Sequence, residues 1–198
     1  MGIKNGNGSQ TKQRKISLIM NKLKNINLQN AVSFSGHRPE RLPGQGKPNN
    51  VETQKFIAVM QEQIASAVNR GKHIFINGAM AGFDIFAAEQ VIEMKSLYPQ
   101  IQLVTIAPYR THFFNREKCW TAEWRERAKK VFDKHDMGVV VANDYRSGIY
   151  YERNRDLVDN SSELLCFWDG KSSGTKYTVD YAKQKGKQVT NVAEMFNQ

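Results

Sequence analysis

The sequence predicts an α/β domain, a three-layer, Rossmann-like arrangement around a mostly parallel sheet. Three observations predict it. Apolar, strand-like runs recur at 31–35, 73–77, 101–107, 137–142, 163–168 and 187–192. Stripes of apolar residues at helical spacing fill most of the gaps between them. Strands alternating with helices also demand right-handed crossovers, which lay the strands parallel and cover both faces of the sheet.

Each stripe can be read in order. Phe56, Met60, Ile64, Ala67 and Val68 form the first helix face after the opening strand. Phe83, Phe86, Ala87, Val91, Met94 and Leu97 form the second. Trp120, Trp124, Ala128 and Val131 form the third, at spacings of four, four and three. Tyr150 to Asp159 is denser in charge: taken alone it reads as a charged exposed helix, and the other reading turns Arg153 and Asn154 to a pocket while Leu157 and Val158 anchor it. Tyr177 to Lys185 is amphipathic and follows a turn of small residues. No internal repeat or second domain is visible, so the chain divides into an extension, 1–30, and one domain, 31–198.

The extension explains most of the charge. The chain carries 29 basic and 19 acidic residues, a net +10. Lys4, Lys12, Arg14, Lys15, Lys22 and Lys24 lie in residues 1–30 with no acid among them, which leaves the remainder at only +4. A polyanion partner is therefore allowed but not required. Residues 1–13, rich in Gly, Asn, Ser and Gln, read as disordered. Ile16, Ile19, Leu23 and Ile26 suggest a short helix packed on the body or on a neighbour; their apolar face is short for a membrane-surface helix. No apolar run nears the ~20 residues of a membrane span, and no signal peptide is evident. A cytoplasmic protein is expected. Cys119 and Cys166 lack metal-ligand spacing and read as reduced thiols, so no metal site is predicted.

In parallel sheets ligands bind beyond the carboxyl ends of the strands, and three turns there are unusual. After the first strand, Ser35-Gly36-His37-Arg38-Pro39-Glu40-Arg41 combines a sharp turn with two forked donors. These arginines can present forked donors to phosphate or carboxylate, and the pattern fits equally a solvated loop whose arginines pair with surface acids. His37 by itself reads as a structural hydrogen-bonder. After the second strand, Gly78-Ala79-Met80-Ala81-Gly82-Phe83-Asp84 offers backbone room for a ligand. Asp84 there either caps the helix or holds a ribose hydroxyl. Glu89 lies roughly 140° farther around that helix, by the ~100° per residue of helical periodicity, so the two are not an acid/base pair. After the fifth strand, Ser172-Ser173-Gly174-Thr175 places small residues at a helix start, where free amides attract anions.

Together, Ser35–Pro39, Gly78–Glu89, Arg153-Asn154 through Asp159 and Ser173–Thr175 resemble the YpsA-like family of the SLOG superfamily, over about residues 31–193. The resemblance implies a Rossmann-like fold that binds a nucleotide-derived ligand, of the ADP-ribose or NAD type or a mononucleotide, often as a homo-oligomer. The expected binding set is Gly36, His37, Arg38, Gly78, Ala79, Gly82, Asp84, Arg153, Asn154, Ser173, Gly174 and Thr175. The protein would act as a sensor, regulator or sequestering protein, with no firm cofactor.

Two relatives define the alternatives. The LOG phosphoribohydrolases look similar around an Arg-bearing helix and a Gly-Thr turn, but a glutamate follows their turn. Here Lys176 and Tyr177 follow Thr175, and a phenol with an ordinary pKa near ~10 is a poor acid for N-glycosidic hydrolysis. Asp84, Glu89 and Glu152 remain the candidate catalytic carboxylates. The DNA-processing protein DprA shares a pattern similar to Gly78–Ala88, and on that reading Arg38, Arg41, Arg110 and Trp168 would meet single-stranded DNA.

Overall fold

A computed structural model describes residues 27–196. The extension up to residue 26, including its helix-like stripe, lies outside the described residues. After a single 3-10 turn at Leu28–Asn30, the chain enters β1 (Ala31–Gly36). The other strands are β2 (Ile74–Asn77), β3 (Gln102–Tyr109), β4 (Met137–Ala142), β5 (Glu163–Phe167) and β6 (Gln188–Asn191). All pair in parallel, in the order β4-β3-β2-β1-β5-β6. The chain thus builds outward from β1 to β4, then returns to the other side of β1. Every sequence-predicted strand is present within two residues of its expected ends.

Helices α1 (Val51–Asn69), α2 (Phe83–Met94), α3 (Ala122–Lys134) and α6 (Val192–Phe196) cover one face; α4 (Ile149–Asp159) and α5 (Gly174–Gln184) cover the other. Strand alternation divides the core accordingly. Phe34, Phe75, Leu103 and Phe167 join the first layer, while Ile76, Val104 and Ile106 meet Leu157 of α4. At the centre, the Phe56 ring lies 4.9 Å from Phe86 and 5.0 Å from Phe167. Local chemistry starts these helices: Asn50 accepts from the amides of Glu52 and Thr53, and Thr121 from that of Trp124.

Three expectations need correction. Leu97 is 71% exposed, because α2 ends at Met94 before the stripe would return to the core. Trp120 is buried, but it precedes α3 and packs from the loop. The charged segment at 149–159 is not an exposed helix: Ile149, Arg153, Asn154, Leu157 and Val158 are all buried. An isolated pattern undervalued it because two of its buried residues are polar.

Candidate functional site

The strand order reverses between β1 and β5, and a crevice opens beyond their carboxyl ends. A cavity of about 330 Å³ fills it, lined from the β1 loop by Ser35 to Arg38, Glu40 and Arg41. Asp84 of α2, Tyr150, Tyr151, Arg153 and Asn154 of α4, and Ser173 to Thr175 at the start of α5 complete the wall. Three turns and one helix far apart in sequence therefore meet at one place. Of the expected binding residues, nine line the cavity. Gly78, Ala79 and Gly82 do not.

Those three residues are explained by packing beneath the cavity. A Cβ on Gly78 would sit 2.5 Å from Asp84 Oδ2 and closer still to the Arg153 guanidinium. One on Gly82 would sit 2.4 Å from the His37 carbonyl, and its φ of 101° lies in glycine's own territory. The Phe83 amide donates to that same carbonyl at 2.9 Å, locking the β1 loop onto the α2 turn. Ala79 holds a left-handed φ of 61°, with its amide donating to Asn77 Oδ1 at 2.9 Å. The small residues of the second turn let side chains and backbone close together, and the cavity wall stands one layer above them.

Asp84 is not a helix cap. Gly82 occupies that position, and Asp84 Oδ2 instead faces Arg153 Nη1 at 3.1 Å, accepting more loosely from the Met80 amide at 3.4 Å. Arg153 Nη1 also donates to the Gly78 carbonyl, and Nε donates to Asn154 Oδ1 at 2.9 Å. Both charged side chains are 6% exposed. Burial pushes the Asp84 carboxyl above its usual range, with Arg153 and Arg38 pulling it back only in part. The Arg153 side chain thus lends one edge to the fold and turns the other toward the cavity.

The front wall is tied across the switch point by Asp169, just past β5. Its carboxylate accepts from Arg41 Nε at 3.0 Å and from Arg41 Nη2. His37 Nε2 lies 3.0 Å from Asp169 Oδ1 and 3.1 Å from the Asp169 amide. Burial first, then Arg41, lowers the His37 pKa, and Nε2 of the neutral ring serves the Asp169 amide as acceptor in one tautomer and the Asp169 carboxylate as donor in the other. Burial by itself would raise the Asp169 pKa, but Arg41, the Lys171 amide and His37 outweigh it and hold the group well below the carboxylate range. Arg38 reaches Glu117 at a loose 3.4 Å. Glu117 accepts from the Tyr150 hydroxyl at 2.6 Å and from Asn115 Nδ2 at 2.9 Å. Burial and this carboxylate both raise the Tyr150 pKa, which makes the phenol a fixed donor.

Asp169, Glu117, Glu40, Tyr150 and Tyr151 were missing from the sequence-derived set. Position after β5 was a usable signal for Asp169. Glu117 had none, since its loop reaches the site only through tertiary packing.

At the back wall, Ser173 Oγ accepts from the Lys176 amide at 3.2 Å and caps α5. The Gly174 and Thr175 amides have no hydrogen bond among the described residues, and both residues line the cavity, Thr175 being buried. Ser172 and Tyr177 lie instead in a neighbouring groove of about 700 Å³, which shares Tyr151 and Ser173 with the cavity. There the Tyr177 hydroxyl accepts from Arg155 at 3.0 Å. Glu152 lines the same groove, paired with Arg146. Glu89 stands apart, gripped by Arg127 Nε at 2.7 Å between the helices of the opposite layer. Of the single-strand candidates, Arg110 lines a separate groove and the Trp168 indole donates to the Lys171 carbonyl at 2.7 Å.

His112 supports the floor. Its Nδ1 and Nε2 lie 2.9 and 2.6 Å from the carbonyl oxygens of Tyr109 and Ala79. A neutral ring donates to one of them at a time. Burial drives its pKa down to about 4, against the pull of both carbonyls. Between pH 6.5 and 4 the unfolded chain then binds the extra proton, so this stability is full above 6.5 and lost as pH falls. Denaturant titrations across that window are expected to lose about 3 kcal/mol from this group, at ~1.36 kcal/mol per pKa unit. The same titrations on His112→Gln should be flatter. Burial also raises the Cys119 and Cys166 thiols, to about 11 and about 12, so neither is a ready nucleophile.

Comparison with known proteins identifies the family and the fold. The model of the YpsA family, described as the YspA SLOG family, matches residues 32–196. The SPbeta prophage-derived protein YoqJ of Bacillus subtilis is 26% identical over 157 residues, covering 72% of this chain and 88% of that protein. A UPF0398 protein of Bacillus cereus is 25% identical over 158 residues, covering 78% and 83%. Among solved structures, DNA processing protein A from Helicobacter pylori, described for its single-stranded DNA binding mode, superposes with a TM-score of 0.55 at 16% identity. That match covers 85% of this chain and 66% of the other. DprA from Streptococcus pneumoniae gives 0.53 at 15% identity, covering 84% and 50%. These last two likenesses concern the fold, and the chain spans less than two thirds of either.

Proposed function

Because this chain belongs to the YpsA family of SLOG proteins, we propose that its cleft binds a nucleotide or nucleotide-derived small molecule by a phosphate group. One observation carries the reading. Gly174 and Thr175 at the N-terminus of α5, whose amides have no hydrogen bond among the described residues, line a cavity of about 330 Å³ at the topological switch point together with Arg38 and Arg153. Amides and a helix dipole on one side and guanidinium groups on the other are the elements of an anion site. Arg38 is the most available cation, because Arg41 is engaged by Asp169 and Arg153 by Asp84. The half-exposed Tyr151 offers a face for a base.

Binding, as a sensor, regulator or sequestering protein, fits this site better than cleavage. Asp84 is held by Arg153, and Tyr177 stands in the next groove. Glu40 is the one other carboxylate on the cavity wall among the described residues. ADP-ribose, NAD and mononucleotides are expected to raise the melting temperature, by the equivalent of about 2.7 kcal/mol at a hundredfold excess over Kd. Arg38→Ala and Thr175→Val should remove the shift. A panel without any shift would sink the reading, and release of free base would replace it with a LOG-like hydrolase.

A second reading has its own support. Tyr145 and Tyr151 are 64% and 50% exposed beside Arg146 and Arg155, and stacking aromatics among cations suit a single nucleic-acid strand. The DprA likeness agrees with it. A single-stranded oligonucleotide belongs in the same panel: a shift from it alone, falling steeply with salt, would favour this reading.

A further inference from the structure

A groove of about 570 Å³ lies between the loop after β3, helix α3 and the edge strand β4. Its floor is apolar: Phe113, Phe114, Phe132 and Val140 line it. The Phe113 ring is 4.3 Å from Phe114 and 5.6 Å from Phe132, so the three rings make one continuous surface. Phe114 is 67% exposed. A floor of this kind takes a large apolar side chain.

The rim is basic. Arg110, Arg125 and Lys129 line the same groove, and none has an acidic partner among the described residues. Arg125 directs its donors to the carbonyls of Phe113 and Asn115, at 3.0 and 3.3 Å, which leaves its charge uncompensated. Glu126, the acid on this rim, lies 4.0 Å from Lys130. Of the acids on either side of β4, Asp136 is held by Lys95 at 2.6 Å, which leaves Asp144 against three free cations. Among the described residues, β4 itself pairs with β3 alone, and it carries no charge and no proline to guard the outward N–H and C=O groups.

We propose that this groove and the adjoining β4 edge bind an acidic peptide segment of a partner protein. The segment adds to the six-stranded sheet as an extended strand. It sets an apolar side chain on the phenylalanine floor and turns carboxylates to Arg110, Arg125 and Lys129.

Three comparisons fix the occupant. Strand pairing selects a polypeptide over a nucleic acid, whose backbone cannot continue a ladder of amides and carbonyls. Charge argues against β4 of a second copy, since Met-Gly-Val-Val-Val-Ala brings no acid to the basic rim. Charge likewise turns away the chain's own extension, because residues 1–26 hold six cations and no acid. An acidic segment with one large apolar residue matches rim, floor and edge together.

Selection of a random-peptide display library against the full chain tests the groove, whether or not the cleft binds a nucleotide. Selected sequences should be enriched in Asp and Glu around a Phe, Trp or Leu. Fluorescence anisotropy then measures a synthetic peptide of that consensus. Reversing two exposed charges together, Arg110→Glu with Lys129→Glu, should weaken its binding by more than about tenfold. Phe114→Ala should weaken it as well, and Arg38→Ala in the cleft should leave it unchanged. Methylating alternate backbone amides of the peptide should abolish binding, which a contact through side chains alone would survive. A library without acidic enrichment overturns the proposal. So does a peptide indifferent to the charge reversal or to amide methylation, or a single-stranded oligonucleotide that binds these cations in preference to every peptide.

Discussion

Replacing Arg153 by Ala is expected to cost about 3–5 kcal/mol of folding stability, the range seen when one partner of a buried ion pair is removed. The reason is what remains. Asp84, 6% exposed, would be left beneath the cavity with only Arg38 and a long amide contact to stabilise its charged form. The Gly78 carbonyl would lose its donor as well. Adding Asp84→Asn should recover much of the loss, because a neutral amide carries a smaller desolvation cost. Chemical denaturation of the two single variants and the double variant measures that coupling.

The same variant carries a pH signature. Burial raises the Asp84 pKa in the folded protein above its unfolded value. The folded state then binds the extra proton, so the stability linked to it is full below the unfolded pKa near ~3.8 and declines as pH rises. Without Arg153 to oppose the shift, the folded pKa rises further. The deficit of Arg153→Ala should therefore be smallest in acid and grow toward neutrality. A deficit independent of pH would mean that Asp84 is not the group left unpaired.

Gly82→Ala should be almost as damaging, at about 2–6 kcal/mol. A φ of 101° with ψ of −134° costs a side-chain-bearing residue ~1–3 kcal/mol of strain. The new methyl would also press against the His37 carbonyl and the Arg38 backbone at 2.4–2.8 Å, and overpacking adds ~1–3 kcal/mol. Backbone atoms there cannot rotate away. Gly148→Ala is the control, since its φ of 79° is also left-handed but no atom lies within 4 Å of the added carbon. Only strain acts there, so thermal melts should show a loss of ~1–2 kcal/mol. Equal losses at the two positions would remove the role given to the close contact.

Much of the fold was legible because its signals are local and periodic. Apolar runs and stripes at 3.6-residue spacing mark strands and helices from short windows. Phe56, Met60, Ile64, Ala67 and Val68 all reached the core as one helical face. The α4 segment shows the limit. Arg153 and Asn154 are polar by type, and their burial follows from Asp84 and the Gly78 carbonyl, which lie 69 and 75 residues away along the chain.

The site divides along the same line. By itself the sequence determined the parallel α/β architecture, the three turns at the strand ends and the small residues that start α5. These rest on periodicity, chain sterics and helix-end chemistry, each acting over a few residues. Tertiary structure alone decided what those residues do. It set Gly78 and Gly82 in close packing beneath the cavity, because neighbours from distant segments occupy the space their missing side chains leave. It joined Asp169 to His37 and Arg41 across the switch point, and brought Glu117 to Tyr150 and Arg38. Ion pairing and burial depend on which groups meet in three dimensions, and no spacing along the chain encodes that.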